Sequence, residues 1–168
     1  IDYFKSKATA LAGVKYFASV QGLPGENLEG GGPPIQRKDG VVKGAIIPGV
    51  VADKDYLNVF GIQLVAGKYF DAQSLNQRDV VINERAAKTL GFDSPEAALN
   101  QQISNDWEGK EFANIIGVVK DYQHQSFKVE ASPLRLHLYK PHEIPTYEYY
   151  AKYAIKVQPE QLPNLIPE

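Results

Sequence analysis

Hydrophobic and polar positions change period several times along this chain, and each change predicts an element boundary. Val14 to Val20 alternates, with Val14, Tyr16, Ala18 and Val20 on one face, the period of a half-buried strand. Before it, Tyr3 to Ala12 has helix-forming composition, with Tyr3, Lys7 and Leu11 at four-residue spacing and Gly13 placed as a left-handed cap. After it, Gly22-Leu23-Pro24-Gly25 has the chemistry of a turn. Glu26 to Gly40, which holds Gly30-Gly31-Gly32-Pro33-Pro34, reads as a mobile loop. Val41 to Ala52 reads as a strand bent near Pro48-Gly49, since proline cannot donate to a central ladder. Asp53 stands where the N-cap of a helix over Lys54 to Phe60 belongs, and Gly61 closes that helix. Ile62 to Val65 returns to extended structure.

The second half is more strongly patterned. Val80-Val81-Ile82 is a short strand feeding a helix capped by Asn83, with Glu84 at its positive end and in reach of Lys88. Ala86, Ala87 and Leu90 form its buried stripe, Gly91 ends it, and Phe92 folds back over Ala87. Ser94-Pro95-Glu96 opens another helical turn, with serine as cap and proline at the first position. Glu111 to Lys120 is apolar on both sides and so reads as a central strand. Leu134, Leu136 and Leu138 alternate with Arg135, His137 and Tyr139, the pattern of a strand with one wet face. The longest alternation runs from Tyr147 to Val157 and places Tyr147, Tyr149, Tyr153, Ile155 and Val157 on a common core-like face. About seven strands and three or four short helices, without regular βαβα alternation, predict the α+β class.

Composition adds limits. With 168 residues the chain is long enough for one domain or two small lobes around a shared core. Apolar residues at 43% and charged residues at 23% are globular usage, and a net charge of −2 carries no footprint for nucleic acid or an anionic membrane. The absence of cysteine removes disulfides and thiolate chemistry. Apolar runs such as Ile115-Ile116-Gly117-Val118-Val119 fall far short of the roughly 20 residues that span a bilayer. The chain begins at Ile1 without methionine or a signal segment and is read as an excised or processed piece.

Candidate chemistry is sparse. Gly30-Gly31-Gly32 is followed by two prolines rather than by a helix whose amides could face a phosphate. His124, His137 and His142 lack metal-ligand spacing and read as surface residues. Ser126 lies two residues after His124 but reads as a turn or cap serine. Asp53 and Glu84 have capping or dipole roles. No catalytic, cofactor or metal residue is assigned.

Three stretches, in order, resemble a known family. They are Asp53 to Phe70, with Tyr56-Leu57 and Phe60-Gly61 before a hydrophobic run and Gly67; Val80 to Gly91; and Ile116-Gly117-Val118-Val119 to Phe127. Together they resemble the periplasmic core domain of MacB-like ABC-transporter permeases, although Lys68-Tyr69 replaces the commoner arginine-aspartate pair. The resemblance implies a two-lobed fold: residues 1–75 with 146–168 as a porter-like βαβ lobe, and 76–145 as an inserted mixed α/β lobe. It implies a periplasmic domain of an inner-membrane permease, without enzymatic activity or cofactor. Implied partners are a cytoplasmic ABC ATPase, a second permease copy and a periplasmic adaptor. ATP-driven motion would pass to cargo or partners in efflux, lipoprotein handling or signalling. The alternatives are a periplasmic or secreted sugar- or peptide-binding module using the tyrosines and the Gly30 loop, and a small hydrolase using His124 and Ser126.

Overall fold

The computed structural model describes residues 2–26, 33–71, 74, 78–104, 106–124, 130–138 and 152–165. In order along the chain they form α1 (Asp2–Thr9), β1 (Val14–Val20), β2 (Gly49–Ala52), α2 (Tyr56–Phe60), β3 (Leu64–Gly67) and β4 (Asp79–Asn83). There follow α3 (Glu84–Thr89), α4 (Pro95–Ala98), β5 (Gln102–Ser104), β6 (Phe112–Val119), β7 (Arg135–Leu138), β8 (Lys152–Val157) and α5 (Leu162–Leu165). The fold is α+β, with short helices around one eight-stranded mixed sheet ordered β3-β6-β4-β7-β2-β1-β8, and with β5 also on β6. The β4–β6 and β2–β7 pairs are parallel and the others antiparallel. None of the described helices is long and apolar enough to cross a membrane.

Strand parity divides the core into two layers. Val80, Ile82, Ile115 and Val118 bury one face under α3, α4 and the segment that carries Ile35 and Ile47. Val81, Val119, Leu136 and Val50 bury the other under Tyr56, Leu57 and Val59 of α2. β6 is central, as its two-sided apolarity predicts, because it pairs with β3, β4 and β5. Gly67 and Gly117 are paired across β3 and β6. A Cβ on Gly117 would strike the Lys68 carbonyl oxygen, and one on Gly67 the Ile116 carbonyl oxygen, so this approach requires both glycines.

The strand-to-helix unit from Val80 to Phe92 forms as its sequence dictates. Asn83 Oδ1 accepts the Ala86 N–H, Gly91 N–H donates to Lys88 and Phe92 N–H to Ala87, closing the helix in a Schellman turn. Ser94 accepts the Ala97 N–H in the next turn, with Pro95 at the first position. Gly61 closes α2 in the left-handed region, at φ 68°.

Several expectations change. The first helix stops at Thr9 instead of Ala12. The strand expected over Val41 to Ala52 contracts to Gly49–Ala52, because Pro48 ends the ladder; before it, Ala45 makes an isolated bridge to Ile35. α2 starts at Tyr56, and Asp53 accepts from Ser19 N–H and Asp55 N–H without capping a helix that begins at Lys54. Glu84 accepts the Asp121 N–H at 3.1 Å, tying α3 to the end of β6. β7 has no wet face: Arg135 is only 4% exposed and His137 is half-buried. Tyr153 and Ile155 of β8 are exposed and do not belong to a core face, because β8 ends the sheet; among the described residues the Tyr153 ring meets those of Phe4 and Phe17. Tyr147 and Tyr149 lie outside the described residues.

Candidate functional site

The chain ends converge on one ladder. β1 and β8 pair from Val14–Val157 to Val20–Lys152, and Gln158 N–H donates to the Gly13 carbonyl at 2.8 Å. Gly13, at φ +90°, lies where a Cβ would overlap Gln161, so the turn into β1 rests directly on the turn that follows β8. α1 is fastened alongside. Phe4 meets Phe17 edge-on and Tyr153 at a tilt, at centroid distances of 5.8 and 5.3 Å. Lys5 Nζ donates to Asp53 at 3.4 Å and to Asp55 at 3.2 Å. Burial pulls the Lys5 ammonium down, but the two carboxylates outweigh it and hold its pKa above the ordinary value. Tyr69 donates its hydroxyl to the Asp53 carbonyl, so Asp53 joins α1, β1 and the segment after β3.

A second polar cluster stitches β4 to β7. Asn83 is 1% exposed, and its Oδ1 accepts both Ala86 N–H (2.9 Å) and Leu134 N–H (2.8 Å) while Nδ2 donates to the Ser132 carbonyl (2.9 Å). His124, 2% exposed, lies between the Tyr122 carbonyl at Nδ1 (3.3 Å) and Ser132 Oγ at Nε2 (3.0 Å). Proton on Nδ1 lets Nε2 accept from the serine hydroxyl. Burial pushes His124 down, against opposing pulls from the Tyr122 carbonyl and Asp121, which favours the neutral ring.

This places a serine beside a histidine, though not the serine expected. Ser126 lies outside the described residues, and Ser132 takes the contact. Acyl transfer needs hydrogen-bond donors to hold an oxyanion, commonly backbone amides next to the nucleophile. Pro133 has no N–H and the Leu134 N–H is committed to Asn83, so the two residues after Ser132 offer no free amide. The pair is a staple between the residues after β6 and the start of β7.

The tyrosines behave as core hydroxyls. Tyr56 and Tyr122 share a 3.1 Å hydrogen bond; burial pushes Tyr56 up to about 12 and Tyr122 far higher. Beside them a cleft of about 270 Å³ is lined by Pro24, Phe60, Ile62, Lys120, Asp121 and Tyr122. Asp121 in that wall is already occupied by Arg85 N–H at 2.9 Å. Among the described residues no group of three or more histidines and acids is arranged to hold a metal. Of the three histidines expected at the surface, His124 is buried, His137 is half-buried and His142 lies outside the described residues.

Compared with known proteins, residues 6–163 match the MacB-like periplasmic core domain. No curated protein matches the chain. Among solved structures it resembles the periplasmic region of MacB from Actinobacillus actinomycetemcomitans, with 13% identity, a TM-score of 0.61 and coverage of 95% of this chain and 65% of that one. It also resembles a domain assigned to a permease protein from Porphyromonas gingivalis, with 19% identity, a TM-score of 0.62 and coverage of 93% and 67%. The extracellular domain of the ABC-type transporter YknZ from Gram-positive bacteria matches at 12% identity and a TM-score of 0.59, with coverage of 97% and 76%. At such identities the likeness is one of fold, and the chain spans 65% of the MacB region it matches.

Proposed function

The chain belongs to the MacB-like periplasmic core domain family, and from that premise we propose that it is the extracytoplasmic part of an ABC-transporter permease, set between two membrane helices. Its work is mechanical. ATP binding at a cytoplasmic ATPase closes a pair of permeases, and this domain carries the movement to cargo, to a periplasmic adaptor or to the second copy. The two-lobe division, with 76–145 inserted between 1–75 and 146–168, belongs to the same proposal.

The observation that carries the reading is the shared ladder of the chain ends. A displacement arriving through α1 or through the segment after β8 meets the same paired strands, the Gln158–Gly13 hydrogen bond and the contact of Gly13 with Gln161. Packed cores transmit such movement without absorbing it. Lys5 adds a second fastening between α1 and Asp53.

The test uses the parent permease with its ATPase in membrane vesicles. Cysteines placed on exposed positions of the domain are cross-linked with and without trapped ATP. The reading expects a nucleotide-dependent cross-linking pattern between the two copies, weakened by Gly13→Val while the domain stays folded. A pattern indifferent to nucleotide would sink it. So would a parent reading frame without hydrophobic spans on both sides of this segment.

A further inference from the structure

The middle of the sheet carries a positive charge that no described residue balances. Arg135 is 4% exposed, and its Nε and Nη1 are buried without an acceptor among the described residues. Its backbone is fixed, since its N–H donates to the Pro48 carbonyl at 2.9 Å. Register places it between Ile82 on β4 and Gly49 on β2, and places His137 between Val80 and Val51 on the same face.

Gly49 makes room for both side chains. A Cβ there would lie 3.1 Å from His137 Cδ2, 3.2 Å from its Nε2 and 3.3 Å from Arg135 Nε. Arginine and histidine therefore converge over the one residue of β2 that lacks a side chain. Burial pulls the guanidinium down to about 10, and no acid among the described residues holds it up. His137 is pushed down to about 3 by burial and then by the Arg135 charge, so its ring is neutral near pH 7 and keeps one N–H to donate. A buried cation without a counter-charge is costly, and an incoming anion removes that cost.

We propose that Arg135 and His137, over the floor provided by Gly49, form a binding site for a small carboxylate-bearing solute. The guanidinium is the charge partner and the neutral imidazole the second donor. One positive charge matches a monoanion, whereas a phosphate dianion calls for more cations. The deep burial of Arg135 restricts the occupant to a small group. The site does not depend on the permease reading, and either can fail without the other.

The test is a titration of the 15N-labelled chain with sodium acetate, sodium phosphate and sodium chloride at constant ionic strength. The readouts are the Arg135 Nε–H resonance and the thermal unfolding midpoint. Acetate is expected to move both saturably and chloride neither, and Arg135→Gln is expected to abolish the acetate effect. Should Arg135→Gln not fold, Gly49→Ala crowds the same pair and is expected to weaken acetate binding roughly tenfold or more. An Nε–H resonance already hydrogen-bonded in the free protein and unmoved by acetate overturns the proposal, as does an equal response to chloride. Saturable binding of phosphate but not acetate overturns the carboxylate assignment.

Discussion

Replacing Asn83 by alanine removes three hydrogen bonds at a position 1% exposed. Two amides, of Ala86 and Leu134, and the Ser132 carbonyl then lose their partner. Each buried polar group left unsatisfied costs about 1–3 kcal/mol. The Ala86 amide is at a helix start, where the usual loss of a cap is about 1 kcal/mol. Allowing for partial relaxation, Asn83→Ala should lose about 3–5 kcal/mol, a large share of the roughly 5–15 kcal/mol that holds a domain together. Asn83→Ser separates the two roles. Serine keeps the cap but cannot reproduce the bonds to Leu134 and Ser132, so it should recover only about 1 kcal/mol of the loss. Urea unfolding followed by far-UV circular dichroism measures both variants, with an unchanged m-value as the check that the same surface unfolds. If serine restores nearly all the stability, Asn83 is a helix cap alone and the stitch between β4 and β7 is refuted.

Acid should weaken the fold through His137. The unfolded imidazole takes a proton below about 6.5, while the folded one resists until about 3, so the folded state binds fewer protons across that window. Stability is therefore full above about pH 6.5 and falls as the pH drops, by about 2–3 kcal/mol at pH 4.5. His137→Gln should flatten the dependence, and equal slopes for the two proteins in urea titrations would contradict the assignment. Gly117→Ala drives a methyl into the Lys68 carbonyl and should cost about 1–3 kcal/mol by overpacking, read from thermal unfolding. Lys5→Met should speed hydrogen exchange of α1 amides while leaving β4 and β6 unchanged; uniform exchange across the chain would show that Lys5 does not act locally.

The parts of the fold that could be read in the sequence were those whose causes are local. The Asn83 cap, the Gly91 turn, the Ser94-Pro95 start and the Gly61 cap each depend on neighbours within five residues, and all of them form. Strand length was legible where both boundaries were chemical, as at Val14 to Val20. Arg135 and His137 were misjudged because alternation shows that two sides differ but not what covers the second. Here, residues remote in sequence share that face: Gly49 and Val51 on one flank, Val80 and Ile82 on the other. The pairing of Ser132 with His124 had no periodic signal either, since it depends on where β7 starts relative to the residues after β6. A buried arginine whose Nε and Nη1 find no acceptor among the described residues becomes visible only once those strands lie side by side.

The pairing of Val14 with Val157 at the tip of the β1–β8 ladder also sets how the protein bears load. Ladder hydrogen bonds lie across the strands in an antiparallel pair. Forces that spread the two termini apart meet those bonds one at a time, as in a zipper, and the ladder yields at its first rung. Forces that draw or push both termini together leave the ladder unstrained within itself and bear on the packing of β1 and α2, where many contacts share them in parallel. The same architecture is thus stiff to piston-like movement and soft to splaying.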